Sequence, residues 1–107
     1  MTARLDALLK LHHADPDDAE LLYMLGLEHA KAQDHDHAVD FLGRAIAAQP
    51  GHHYAYYQQA KAHHALDQTD HALATLDAGI ARATQDQAAK ALGELQELKQ
   101  TILESQD

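Results

Sequence analysis

Ala19–Pro50 reads AELLYMLGLEHAKAQDHDHAVDFLGRAIAAQP, and His53–Thr84 reads HYAYYQQAKAHHALDQTDHALATLDAGIARAT. Laid over each other without a gap, the two stretches agree at eight of 32 positions: Tyr23/Tyr57, His29/His63, Asp36/Asp70, His37/His71, Ala38/Ala72, Leu42/Leu76, Ile46/Ile80 and Ala47/Ala81. The offset is 34 residues, the same distance that separates Pro16 from Pro50. A fixed period of this length in helix-forming residues is the mark of a helical-hairpin repeat.

Working outward, the chain reads as a succession of helices. Ala3–His12 places Leu5, Leu8, Leu9 and His12 on one face. Asp15-Pro16 restarts the chain, with Asp15 as a cap and Pro16 suited to a first helical position. Helices are expected over Ala19–Ala32, His37–Gln49, His53–Leu66, Asp70–Ala83 and Gln87–Glu104. Gln33-Asp34-His35-Asp36 reads as a polar turn, Thr69 as a cap, and Thr84-x-x-Gln87 as a capping box. The last helix is expected to be the longest, with a seam of Ala88, Ala91, Leu92, Leu95, Leu98, Ile102 and Leu103.

These residues resemble tetratricopeptide repeats. The first repeat supplies Leu22, Leu25-Gly26, Ala38, Leu42, Ala45 and Pro50, with His29 where the family has Tyr. The second supplies Tyr56, Ala60, Ala72, Leu76 and Gly79, with His63 again replacing Tyr; it departs at Gln59 (Leu expected) and Thr84 (Pro expected). Packing explains the pattern: small residues let helices approach, and Leu22, Leu42, Tyr56 and Leu76 fill the resulting holes. Leu5 and Leu8 fall in register with Val39/Leu73 and Leu42/Leu76, so the first helix reads as half of a preceding repeat. The expected fold is all-α, a right-handed superhelix of stacked helical hairpins in one domain over 1–107. Its parts are an N-terminal helix at 2–13, repeats at 19–52 and 53–86, and a capping helix at 87–105.

The resemblance implies a protein- or peptide-binding adaptor or assembly scaffold. First helices of the family line a concave groove, which maps here to Glu20, Tyr23, Leu27, Lys31 and His52, then Tyr54, Tyr57, Lys61 and His64. Tyrosines offer contact area at low entropic cost, and the lysines can attract an acidic group. Tyr23 and Leu27 stand where chaperone-tail-binding members carry Lys and Asn, so that activity is not implied. A second reading is self-association through Leu98, Ile102 and Leu103 of the last helix, giving a weak homodimer rather than a monomer.

Composition narrows the function class. A formal charge of −9 disfavours nucleic acid. The absence of cysteine removes disulfides and thiolate metal sites. No apolar run is long enough for a membrane helix and the N-terminus does not read as a signal peptide, so a cytoplasmic, non-membrane protein is expected. A single serine, Ser105, and helical glycines leave no nucleophile–base set and no phosphate loop, so no enzyme is expected.

Ten histidines are the oddity. Asp34-His35-Asp36-His37 offers donors in one turn, with His71 one repeat on, and a histidine-based metal or acid-pH sensor is a weaker third reading. No residue is assigned to a metal and no cofactor is expected. His29 and His63, if buried neutral, would make stability fall between about pH 7 and 5.

Overall fold

The computed structural model describes residues 3–106, so Thr2 of the expected first helix lies outside the described residues. Six helices follow in order: α1 (Ala3–Ala14), α2 (Ala19–Lys31), α3 (His35–Ala48), α4 (His53–Ala65), α5 (Thr69–Gln85) and α6 (Ala89–Glu104). No strand occurs among the described residues. Each helix packs on the next, and α4 also touches α2 on one side and α6 on the other along the stack. The smallest extent is 18 Å, about two helix layers at spacings of 8–10 Å.

The core follows the small-against-large pattern. Ala38 and Ala72, one period apart, are both fully buried, as are Leu25, Leu42, Leu76 and Leu95. A Cβ on Gly26 would stand 2.6 Å from Leu42 Cγ, and one on Gly79 2.7 Å from Tyr56 Cβ. Real Cβ atoms cannot approach so closely, so glycine is what lets α2 meet α3 and α4 meet α5. Leu5 and Leu8 are buried against Leu22 and Leu25, which docks α1 as a second helix would dock. Arg4 adds a polar tie, its Nε donating to Glu28 Oε1 at 2.6 Å.

Helix ends differ from expectation, by one or two residues at most, and the caps differ with them. Asp18, not Asp15, caps α2, its Oδ1 accepting from the backbone N–H groups of Glu20 and Leu21 at 3.0 and 3.2 Å. α3 begins at His35, because Asp34 takes the cap position and accepts from His37 N at 3.4 Å. Thr69 is the first residue of α5; Gln68 precedes it without a side-chain cap bond. The Thr84–Gln87 capping box does not form. With no proline to stop it, α5 runs on to Gln85, and the Thr84 hydroxyl donates back to Ile80 O at 2.7 Å. That makes α5, at 17 residues, longer than α6 at 16.

The overrun changes the last connection. Gln33, Asp67 and Gln87 all have positive φ (62°, 59° and 56°). In each case the next residue's N–H donates to the carbonyl five back: Asp34 to His29, Gln68 to His63, Ala88 to Ala83. The α5–α6 turn thus copies the turns inside the two hairpins, not the Pro50-Gly51 link between them.

Candidate functional site

The positions expected to form a groove lie on α2, on α4 and in the link before α4, and most of them gather at two ends of one face. At the end formed by the N-termini of α2 and α4, His52 Nε2 is 3.3 Å from Glu20 Oε2, and its ring lies 4.4 Å from that of Tyr23. Burial raises the pKa of Tyr23, helped by the Glu20 charge and by Tyr54. Burial likewise raises Tyr54, which hydrogen-bonds to Glu94 of α6. Both phenols therefore stay neutral and keep an O–H to donate at pH 7.

At the other end, Leu27, Ala30 and Lys31 of α2 face Gln58, Lys61, Ala62 and Ala65 of α4 across a cleft of about 420 Å³. His35, at the start of α3, completes its wall. Lys61 Nζ also sits 5.8 Å from the centroid of the Tyr57 ring, within cation–π range. Lys31 Nζ reaches Glu28 Oε1 at 3.5 Å. Glu28 is nearly buried; burial opposes its ionisation, but the bonds from Arg4 and Lys31 prevail and hold its carboxyl below the usual range.

On the far side of α4 a second cleft, about 230 Å³, is lined by Tyr57, Glu94, Glu97, Leu98 and Thr101. The face therefore carries two lysines on one side of α4 and two glutamates on the other, with Tyr57 between. His64 is half-buried, with an Nδ1 that meets no hydrogen-bond partner.

Among the lining residues that the sequence did not single out are four polar ones, His35, Gln58, Glu94 and Glu97. The period assigns the same positions to every first helix, whereas a cleft between two such helices uses opposite flanks of each. Leu98, expected to be free for self-association, packs against the core and lines the second cleft. Ile102 is 1% exposed and belongs to this chain's own core, while Leu103 is 41% exposed.

A cleft of about 620 Å³ opens elsewhere, between the α1–α2 turn and the end of α3, with Asp17 and Arg44 among its walls. The two histidines at core tyrosine positions both have polar partners: His29 Nδ1 is 3.3 Å from Asp34 Oδ2, and His63 Nδ1 is 2.8 Å from Gln68 Oε1. None of the described helices is long and apolar enough to cross a membrane.

Residues 19–52 match the model of the tetratricopeptide repeat. No curated protein matches the chain. Among solved structures, the chain is similar to a tetratricopeptide repeat domain protein from Salinibacter ruber solved by NMR. The two are 32% identical with a TM-score of 0.75, over 82% of this chain and 89% of that one. A crystal structure of a Salinibacter ruber tetratricopeptide repeat domain protein gives 30% identity and a TM-score of 0.73, over 79% and 94%. The TPR2B domain of yeast Sti1, in a complex with pHsp70, superposes with a TM-score of 0.88 at 23% identity, over 94% and 81%, a likeness of fold.

Proposed function

The chain belongs to the tetratricopeptide repeat family, and on that premise we propose that it is a non-catalytic adaptor that holds an extended protein segment across α2, α4 and α6. One observation carries this reading: the two clefts flanking α4 carry opposite charge, Lys31 and Lys61 on one side and Glu94 and Glu97 on the other. The preferred segment has an acidic residue for the lysines, a basic residue for the glutamates and an apolar side chain between them, over Tyr57 and Leu27. The yeast Sti1 domain, held in a complex with pHsp70, fits the general class of partner, a protein or peptide.

The test is an array of extended peptides with the charge pair in both orders, followed by fluorescence polarisation on the binders. Tyr57→Ala and Lys61→Ala each weaken binding about tenfold or more, as a buried aromatic or charged anchor does. Glu97→Lys weakens peptides with a basic residue at the second cleft and spares those without one. Binders whose affinity is untouched by Tyr57→Ala and Lys61→Ala refute the groove.

A further inference from the structure

At the elbow of the first hairpin, three side chains converge that the adaptor reading does not use. His29 Nδ1 lies 3.3 Å and His37 Nδ1 2.7 Å from the same oxygen, Asp34 Oδ2. One potential ligand atom from each of the three falls within 4.8 Å of the others. We propose that His29, Asp34 and His37 form a divalent-cation site, of the kind that takes Zn²⁺ or Co²⁺, with its remaining coordination positions open to water.

The donor set suits such an ion. Two imidazole nitrogens and one carboxylate oxygen favour borderline first-row cations over Mg²⁺ or Ca²⁺, which prefer all-oxygen sites. Tetrahedral Zn²⁺ with bonds of 2.0–2.1 Å needs its ligands about 3.3 Å apart. The His29–Asp34 separation already has that value; the His37–Asp34 pair must open by about 0.6 Å. His37 and Asp34 are exposed enough to move, with side chains 64% and 40% accessible. His29 is held instead. Its ring stacks on that of Phe41 (5.3 Å, 11°), which fixes the plane from which Nδ1 points, and the His37 ring also lies against it (5.0 Å, 26°). The cation would take the place of the proton or protons now shared with Asp34 Oδ2.

The second hairpin supplies an internal comparison. One period on, the three positions are His63, Gln68 and His71. The histidines remain, but a neutral amide replaces the carboxylate, with Gln68 Oε1 2.8 Å from His63 Nδ1. The two rings meet edge to face at 61°, and Thr75 stands where Phe41 stacks. Both elbows have the imidazoles; the first alone has the charge and the stacked geometry.

Isothermal titration of the full chain with Zn²⁺ at pH 7.5, repeated with Co²⁺ followed by its visible absorption, tests the assignment. One saturable equivalent is expected, with a rise in melting temperature that follows free Zn²⁺ by linkage. Asp34→Asn keeps a good helix cap and is expected to weaken Zn²⁺ at least about tenfold, as is the exposed His37→Ala. Gln68→Asp rebuilds the ligand set in the second hairpin and is expected to add a second equivalent. No saturable binding to the parent chain, or a titration that Asp34→Asn and His37→Ala leave unchanged, overturns the proposal. Failure of Gln68→Asp to add an equivalent counts against the carboxylate as the deciding ligand.

Discussion

Gly79 and Gly93 both sit inside helices, and replacing each by alanine should move stability in opposite directions. Helix propensity alone favours alanine by about 1 kcal/mol at either site. At Gly93, on α6, a new Cβ meets nothing within 4 Å, so that gain is expected nearly whole. At Gly79 the Cβ would stand 2.7 Å from Tyr56 Cβ, 3.0 Å from its Cγ and 3.4 Å from Leu95 Cδ1. Ordinary carbon contacts lie near 3.5–4.0 Å, so α4 and α5 must separate by roughly 0.8 Å at this point. Rotation cannot relieve the clash, because Tyr56 Cβ is fixed to the backbone. Its hydroxyl is also tethered, donating to Pro50 O at 2.7 Å. Overpacking of this kind costs about 1–3 kcal/mol. Net of propensity, Gly79→Ala is expected to destabilise by roughly 1 kcal/mol, lowering Tm by about 4–8 °C for a chain of this size. Thermal and urea unfolding followed by circular dichroism would read both variants. If Gly79→Ala proves as stable as the parent, close approach of these helices is not what glycine is there for.

Two further outcomes follow from other parts of the structure. Asp86 is held below the usual carboxylate range by hydrogen bonds from His53 (2.8 Å) and Arg82 (3.0 Å). Burial opposes ionisation of Asp34, but the bonds from the His37 ring and backbone prevail and lower it as well. Carboxyls lowered on folding stabilise the protein above their unfolded value, about 3.9 for Asp, and lose that contribution as pH falls through the folded one. Acid unfolding driven by these groups therefore lies below about pH 4; a double Asp34→Asn, Asp86→Asn variant, followed by circular dichroism, should flatten stability there, and an unchanged acid limb would refute the assignment. Leu103 and Leu11 are isolated exposed apolar residues, which soluble monomers commonly carry. The chain should sediment as a monomer and Leu103→Asp should change nothing; a dimer that this substitution dissociates would restore α6 as a self-association surface.

The hairpin stack was legible because its decisive contacts are between residue sizes at fixed spacing. Gly26 against Leu42 and Gly79 against Tyr56 can be read from the period, and both contacts are present. Helix ends were less legible, since each depends on which of several neighbouring polar residues wins a cap. Asp15, Asp17 and Asp18 all qualify by type, and geometry selects Asp18. The residues expected to line a groove lie on α2, on α4 and in the link before α4. Their charge sorting was hidden because Glu94 and Glu97 come from α6, outside the aligned repeats. The convergence of His29, Asp34 and His37 was hidden differently: it needs the left-handed turn at Gln33, which swings the start of α3 back beside the end of α2.

The family match covers one repeat, residues 19–52, while the hairpin stack runs on, and the second repeat's two departures from the family pattern have clear packing consequences. Gln59 occupies the position of an expected leucine, at the seam between α3 and α4. Its Nε2 donates to Val39 O at 3.1 Å, and its Oε1 accepts from the Thr75 hydroxyl at 3.4 Å. A buried amide left unpaired would cost about 1–3 kcal/mol; here both of its polar ends have partners on neighbouring helices. Gly43 makes room for this, since a Cβ there would stand 3.0 Å from Gln59 Nε2. The apolar plug between hairpins has thus become a polar bridge that still fixes their spacing. Thr84 in place of proline has the matching effect at the other end, lengthening α5 and turning α6 back by an intra-hairpin turn. That turn presents Glu94 and Glu97 beside Tyr57. The departures that weaken the second repeat as a sequence match are thereby linked to the half of the groove that carries its negative charge.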